Sequence, residues 1–150
     1  MNIYVATSWK NALQPTVVAA LRAARHSVYD FRRPTKDDTG FHWSEIDGGY
    51  KNWSADHYRA ALAHPIAARG FGNDMDALDA ADLVVLVLPC GRSAHLELGW
   101  AIGAGKKSIV LLDDPITPEL MYRMVGSLVT SIPEMLTAVG IYEAEMADQA

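Results

Sequence analysis

The chain lacks several features that mark whole classes of protein. It has a single cysteine, Cys90, which excludes an internal disulfide and is typical of a reducing compartment. No apolar run approaches the roughly 18–20 residues that a membrane-spanning helix needs, and the first residues carry no basic stretch like that of a signal peptide. We therefore expect a cytoplasmic protein with no membrane partner.

Positive charge is also scarce. The sequence has 13 lysines and arginines against 18 aspartates and glutamates, for a formal net charge of −5. Nucleic acid is therefore not an expected partner, because binding to a phosphate backbone requires a basic surface. The five histidines show no metal-ligand spacing, so no metal site is predicted. With 150 residues, half of them hydrophobic, the chain is predicted to form one domain over residues 1–150.

Short apolar segments alternate with segments of helical periodicity. Strands are predicted at 2–6, 27–31, 83–88, 108–112 and 128–132. Helices are predicted at 14–24, 54–63, 73–81, 93–105, after Pro118, and at 133–139. This alternation predicts a three-layer α/β domain, flavodoxin-like (Rossmann-like), with a five-stranded parallel sheet.

In such a sheet, ligands bind at the carboxyl ends of the strands. Three segments are predicted to meet there: residues 7–11, the run to Asp74, and residues 90–97. With Ser93 as N-cap, Glu97 falls within the first two turns of its helix, where the helix dipole favours the ionised carboxylate. Flanking Leu96, Leu98 and Trp100 are expected to leave Glu97 little exposed surface, and a buried carboxylate without a function is costly.

The two acidic residues of these segments suggest chemistry at a sugar. A carboxylate such as Glu97 can act as a nucleophile or stabilise an oxocarbenium-like transition state. Asp74, predicted at the start of its helix and at the same rim, could handle a proton. An N-cap or first-turn acid is an equally good interpretation of Asp74.

Residues 32–52 form a long irregular stretch, which is more often functional than idle. It contains Phe41-His42-Trp43-Ser44-Glu45, followed by Tyr50 and Trp53. These rings could form a stacking wall for a nucleobase, or they could anchor the loop onto the core. Both interpretations stay open at the level of sequence.

Other catalytic motifs fit poorly. In Gly91-Arg92-Ser93-Ala94-His95, histidine replaces the second glycine of a serine nucleophile elbow, and no histidine follows in the chain. No pattern marks Cys90 as a nucleophile, and an inert buried thiol is predicted. The glycine-rich run around Gly105 lacks the spacing of a P-loop.

The sequence resembles the nucleoside 2-deoxyribosyltransferases and the related nucleoside and nucleotide N-glycosidases. The likeness covers roughly residues 2–125 and includes the spacing from Asp74 through Asp82 to Glu97. It is carried by Ile3-Tyr4-Val5-Ala6 with the polar loop that follows, Asn73-Asp74, Ala81-Asp82, Glu97-Leu98-Gly99-Trp100-Ala101 and Gly105-Lys106.

The resemblance implies a function for the two carboxylates. Glu97 would attack the anomeric carbon, and Asp74 would be the acid/base or the partner of a sugar hydroxyl. The substrate would be a small nucleoside or nucleotide, with no metal or organic cofactor. A homo-oligomer is implied, because a neighbouring subunit helps to close the site in this family.

The sequence departs from the transferases at two positions. Gly91 stands where they commonly have an acidic residue, and Glu119, in Glu119-Leu120-Met121, stands where they have asparagine. Hydrolysis and transfer between bases therefore both stay open. The nucleotide-hydrolysing branch implies a 5′-phosphate held by groups such as Ser8, Lys10, Asn11, Arg92 and Ser93, which could also be ordinary solvated residues. The candidate substrate-binding residues are Tyr4, Ser8, Lys10, Asn11, His42, Trp43, Gly91, Arg92, Ser93, Glu119 and Met121.

Two functions of different classes remain. The first is cleavage of an N-glycosidic bond, by hydrolysis or by deoxyribosyl transfer to another base. The second is a non-catalytic nucleotide-binding or sensing module. Hydrolysis of a nicotinamide–ribose bond is a narrower alternative that rests on fold analogy. The pair of carboxylates favours the enzyme.

Overall fold

Five parallel strands form one sheet. In the computed structural model, which describes residues 1–149, the strands are Asn2–Ala6 (β1), Ser27–Tyr29 (β2), Leu83–Val87 (β3), Lys107–Leu111 (β4) and Ser127–Val129 (β5). Their order across the sheet is β2-β1-β3-β4-β5. This is the flavodoxin-like order, and it confirms the predicted fold class.

The centre of the sheet is β3, all five of whose residues are buried. It pairs in parallel with β1, where Ile3 is opposite Leu83, and with β4, where Leu83 is opposite Lys107. Both faces of this strand are covered by other parts of the protein, so apolar residues are favoured at every position, which explains the unbroken apolar run Leu-Val-Val-Leu-Val.

The helices are Gln14–Ala23 (α1), Ala55–Ala61 (α2), Pro65–Ala80 (α3), Arg92–Gly103 (α4) and Ile132–Ala147 (α5). Buried residues of α1 and α5, such as Leu21 and Met135, share one hydrophobic core with Ile3 and Val85 of the sheet. Successive strand residues point to opposite faces, so Tyr4 and Val84 belong to the other side. Helix α4 lies against β1, β3 and β4.

The chain divides into two compact units. The first contains residues 1–29 and the chain from Ala80 onward, and it holds the sheet with α1, α4 and α5. The second is Asp30–Asp79, with α2, α3 and two short 3₁₀ turns at Trp43–Glu45 and Tyr50–Asn52. The expectation of one domain over the whole chain stays a prediction.

Helix α3 differs most from its prediction, which was a helix at 73–81. It begins at Pro65, eight residues before the predicted start, so Asp74 lies in its interior and is neither an N-cap nor a first-turn residue. Gly70 and Gly72 interrupt the helical periodicity and concealed the first half of this helix. A Cβ on Gly70 would lie 2.7 Å from the Cβ of Phe41, so glycine at this position permits a close approach.

Other boundaries also differ from the predictions. The fifth strand, predicted at 128–132, is Ser127–Val129, because Ser131 is already the N-cap of α5. Helix α5 continues to Ala147 rather than ending at Val139, because Tyr142 still packs on the core. The segment after Pro118 forms a 3₁₀ turn at Leu120–Met124. The second strand ends at Tyr29, two residues before its predicted end.

Candidate functional site at the carboxyl edge of the sheet

Hydrogen bonds join the loop that follows β1 to the end of β3 and to the loop after it. Thr7 Oγ1 donates to the Val87 carbonyl (2.6 Å), and Asn11 Nδ2 donates to the carbonyls of Val87 (3.1 Å) and Pro89 (3.2 Å). Asn11 Oδ1 accepts from the Leu13 N–H at 2.8 Å. Because both N–H groups of this amide are used, a substrate contact through Asn11 would have to use its oxygen.

Ser8 and Lys10 form the turn between these two anchors. The Asn11 N–H donates to the Ser8 carbonyl (3.0 Å), and the Lys10 N–H donates to Ser8 Oγ (3.2 Å). Ser8 is half-buried and Lys10 is exposed. This turn therefore presents one hydroxyl and one cation beside the ends of β1 and β3.

Tyr4 lies below this edge, within β1. Its side chain is fully buried and its ring stacks on Tyr29, with the ring centroids 5.1 Å apart. A direct contact between Tyr4 and a substrate would require a change in this packing. Its predicted binding role stays a prediction.

Helix α4 starts immediately after the loop that follows β3. Its N-cap is Gly91, not Ser93 as predicted, and no side chain caps its first turn. Arg92 and Ser93 are its first two residues and both are exposed. The N–H groups of this first turn and the positive end of the helix dipole meet at the carboxyl edge of the sheet.

Glu97 is the sixth residue of α4, which confirms its predicted place within the first two turns. Its side chain is half-buried. The expected shielding by its neighbours is only partly right, because Leu98 is buried while Leu96 is 75% exposed and Trp100 37% exposed. Residues next to one another on a helix point about 100° apart, so one flank of Glu97 faces the sheet and the other faces solvent.

Cys90 occupies the loop between β3 and α4. Burial, as the largest cause, and the negative charges of Glu97 and Asp113 together raise the pKa of its thiol to about 12. The thiol is therefore protonated at neutral pH, as expected of an inert cysteine. The side chain is half-buried, not buried as predicted. The same result places the carboxylates of Glu97 and Asp113 in the electrostatic neighbourhood of one sulfur atom.

Glu119 and Met121 belong to the 3₁₀ turn after β4. Glu119 is its N-cap, and its Oε1 accepts from the Met121 N–H at 2.9 Å. Both side chains are exposed. Glu119 therefore has a local structural role, and a role in binding substrate stays a prediction.

Three predicted site residues belong to the second unit. Asp74 is half-buried on α3, and its neighbour Asn73 donates from Nδ2 to Asp38 Oδ2 at 3.4 Å. His42 is the N-cap of the first 3₁₀ turn, in a reciprocal capping box with Glu45. The capping box fixes the local backbone, whereas the bond from Asn73 joins two side chains that are distant in sequence.

Trp43 belongs to an aromatic cluster of the second unit. Its ring meets those of Trp53 and Tyr58 edge to face, each at a centroid distance of 5.7 Å. The Trp53 indole donates to Asp47 Oδ2 at 2.6 Å, a bond that lowers the pKa of Asp47. The cluster lines an open cavity of about 310 Å³ with Trp43, Tyr50, Trp53, Ser54, Ala55 and Tyr58. Both sequence interpretations of these rings, as a wall or as an anchor, fit this arrangement.

A solved structure supplies the comparison. It is a 2-deoxyribosyltransferase from the psychrotolerant bacterium Bacillus psychrosaccharolyticus, with a TM-score of 0.62 over 89% of this chain and 88% of that one, at 17% identity. The chain has the 2-deoxyribosyltransferase fold. No protein-family model and no curated protein matches it.

Sequence reasoning missed three residues near the carboxyl edge of this 2-deoxyribosyltransferase fold. Asp113 lies two residues after the end of β4, and a polar residue just beyond a strand end is the signal that could have found it. His95 and Tyr122 are hydrogen-bonded at 2.8 Å although they are 27 residues apart, which no sequence pattern indicates. Within residues 1–149, no cluster of three histidine, cysteine or acidic side chains could hold a metal ion. No helix in the same span is both long and apolar enough to cross a membrane.

Proposed function

We propose that the protein cleaves the N-glycosidic bond of a nucleoside or nucleoside 5′-monophosphate, with Glu97 as the nucleophile. The observation that carries the proposal is the place of Glu97 beside the switch point of the sheet. In the order β2-β1-β3-β4-β5, connections leave β1 and β3 in opposite directions, and ligands of such folds bind outside the ends of these two strands. Glu97 is in the second turn of the helix that follows β3.

The fold supports the same reaction. The solved structure with this fold is named as a 2-deoxyribosyltransferase. That name describes the other protein, and the present chain shares the fold at a low sequence identity. Together with the resemblance carried by residues 97–101, it supports chemistry at the anomeric carbon of a nucleoside.

In the proposed reaction, one oxygen of the Glu97 carboxylate attacks C1′ and forms an ester bond. The bond between C1′ and the base nitrogen breaks, and its electron pair leaves with the base, which takes a proton from the acid. Water or a second base then attacks C1′, releases the Glu97 carboxylate and completes hydrolysis or transfer. On the resemblance we assign the acid to Asp74, and we expect Asp74→Asn to lower kcat by about 10²–10⁴-fold.

A 5′-phosphate is the feature that would distinguish nucleotides from nucleosides. The groups proposed to hold it are Ser8, Lys10 and Asn11 after β1, with Arg92 and Ser93 at the start of α4. An uncapped helix N-terminus supports this proposal, because its N–H groups and dipole favour an anion. Lys10→Ala and Arg92→Ala should then raise KM for monophosphates and leave KM for nucleosides unchanged.

We also propose that the protein is a homo-oligomer. Helix α4 and the 3₁₀ turn after β4 expose large apolar side chains, and a second copy of the chain would remove these from water. They are Leu96, Trp100, Leu120, Met121 and Met124. Light scattering should show a dimer or larger assembly that Leu96→Glu dissociates, while Ile141→Glu, at an exposed position of α5, leaves it intact.

The test of the function is a panel of nucleosides, deoxynucleosides and their 5′-monophosphates, incubated with and without a second free base. Chromatography separates released base from exchanged nucleoside and so distinguishes hydrolysis from transfer. Glu97→Gln should lower the turnover rate by about 10³-fold or more. Glu145→Gln is the matched control, because Glu145 is on α5 and forms an ion pair with Lys107 of β4. Binding without turnover in the wild-type protein would favour the sensing module instead.

A further inference from the structure

His95 joins two segments at the edge of the proposed site. It is in the first turns of α4, and its Nδ1 lies 2.9 Å from the Gly91 carbonyl oxygen. Its Nε2 lies 2.8 Å from the hydroxyl of Tyr122, in the 3₁₀ turn after β4. The two rings are parallel, at an interplanar angle of 3°. Tyr122 is 9% exposed, so this contact is largely shielded from water.

The partners determine where the proton of a neutral His95 lies. A carbonyl oxygen only accepts, so Nδ1 must carry the hydrogen that points to Gly91. Nε2 then has a free lone pair, which accepts from the Tyr122 hydroxyl. Cys90 Sγ, 3.6 Å from Nδ1, does not change the assignment, because the opposite tautomer would place two lone pairs 2.9 Å apart.

The result is a chain of hydrogen bonds with one direction, from Tyr122 through His95 to the Gly91 carbonyl. Burial raises the pKa of the Tyr122 phenol, and neighbouring negative groups raise it further, so the phenol keeps its proton. Hydrogen bonds in series polarise one another and hold their members more firmly than isolated bonds do.

The peptide held in this way is the one at the start of α4. Its carbonyl belongs to Gly91 and its N–H to Arg92, and the two point in opposite directions because the peptide unit is planar and trans. A glycine gives this peptide wide conformational freedom, and no side chain caps the helix. As the N-cap, Gly91 already offers this carbonyl to the first backbone bond of the helix. The bond from the His95 side chain adds a second constraint on the same carbonyl and so on the direction of the Arg92 N–H.

We propose that His95 and Tyr122 are positioning residues that fix the Gly91–Arg92 peptide and so aim the first N–H groups of α4 at the substrate. The proposal rests on the function proposed above for this edge of the sheet. It also explains how the turn that bears Glu119 and Met121 is held to α4, since Tyr122 belongs to that turn. Neither residue is assigned a contact with the reacting atoms.

Two substitutions of His95 separate its two bonds. His95→Asn places an amide N–H near the position of Nδ1 and keeps the Gly91 bond, whereas His95→Gln places a carbonyl oxygen near the position of Nε2 and keeps only the Tyr122 bond. We expect His95→Gln to raise KM about tenfold with kcat within about twofold of wild type. His95→Asn should restore most of the lost affinity, and Tyr122→Phe should raise KM about threefold. Equal KM values in all variants, with altered thermal stability alone, would reduce the pair to a structural contact.

A second measurement needs no turnover. Nitrogen-15 NMR of the histidine rings should show His95 as the Nδ1–H tautomer at pH 8. The backbone NMR order parameters of Arg92 and Ser93 should be lower in His95→Gln than in His57→Gln, a control on exposed α2. An Nε2–H tautomer, or unchanged order parameters, would overturn the proposal. If both NMR results are obtained but the wild-type protein turns over no substrate, the proposed function is refuted and the positioning of the peptide stands.

Discussion

The side chain of Asn11 offers a stringent test of how the site edge is assembled. It is 5% exposed and makes three hydrogen bonds, which join it to the carbonyls of Val87 in β3 and Pro89 just after it and to the Leu13 N–H. Each such bond contributes about 0.5–1.5 kcal/mol net to folding. We therefore expect Asn11→Ala to lower the free energy of unfolding by about 2–4 kcal/mol.

Variants of Thr7 test the same contact, because Thr7 and Asn11 both donate to the carbonyl oxygen of Val87. Thr7→Val removes one bond but leaves the Val87 carbonyl its bond from Asn11, so the expected loss is about 1 kcal/mol. The double variant takes both side-chain donors from this buried oxygen. Its loss in free energy of unfolding should exceed the sum of the losses in the two single variants by about 1 kcal/mol or more, as expected for residues that share a partner.

Urea unfolding, followed by circular dichroism, measures all three losses if the slope with urea concentration stays constant. The reasoning is wrong if Asn11→Ala lies within about 0.5 kcal/mol of wild type. Strict additivity in the double variant would show that the Val87 carbonyl is not the shared partner.

Two glycines of α3 should respond to alanine in opposite ways. Gly70→Ala places a Cβ 2.7 Å from the Cβ of Phe41 and should lower the free energy of unfolding by about 1–3 kcal/mol. The Cβ of Gly72→Ala meets no atom within 4 Å, so this variant should raise the free energy of unfolding by up to about 1 kcal/mol, measured by thermal unfolding. Burial is the main reason that the pKa of the Cys90 thiol is raised to about 12. Because the thiolate is the reactive form, Cys90 should react with a disulfide reagent at pH 8 about 10³-fold more slowly than a free thiol. The folded state keeps a thiol proton that the unfolded state releases, so stability should also fall as the pH rises from about 9 to about 12. The pKa of Asp47 is lowered, mainly by a hydrogen bond from a tryptophan indole, so its contribution to stability should be present above pH 4 and lost as the pH falls through its folded pKa. Asp47→Asn should remove this acid transition from the tryptophan fluorescence.

Each of these has a clear contrary result. Equal effects of alanine at the two glycines would show that the approach to Phe41 is not tight. Rapid labelling of Cys90 would mean that its thiol is neither buried nor close to negative charge. An acid transition that persists in Asp47→Asn would belong to another carboxylate.

Much of the fold could be predicted because its signals are local. The five buried residues of β3 form an apolar run of strand length, and Pro15 with the spacing of Val17, Val18 and Leu21 indicates α1. The alternation of such segments then leaves few topologies, and the observed strand order is among them.

The errors occur where a contact between distant residues overrides a local rule. Gly70 argues against a helix in isolation, but Phe41 packs where a larger side chain would be, and α3 continues through it. Serine is a strong N-cap, which favours Ser93 at the start of α4, whereas the chain enters the helix at Gly91 with His95 bonded to its carbonyl.

The candidate site was predictable as a location and less so as an environment. Glu97 is found where its position after β3 indicates. The exposure of Leu96 and Trp100 was not foreseen, because apolar residues that flank a carboxylate in sequence need not bury it. Asp113, His95 and Tyr122 complete the surroundings through contacts that depend on the assembled sheet.

The central claim is that Glu97 forms a covalent bond with a sugar. A nucleoside with fluorine at the 2′ position should slow release of the sugar from the enzyme, because fluorine destabilises an oxocarbenium-like transition state. Intact-protein mass spectrometry after incubation with such an analogue of a panel substrate should then show one added fluorosugar, located on the peptide containing Glu97 and missing in Glu97→Gln. An adduct on another residue, or turnover of the panel substrate by Glu97→Gln at the wild-type rate, would contradict the account.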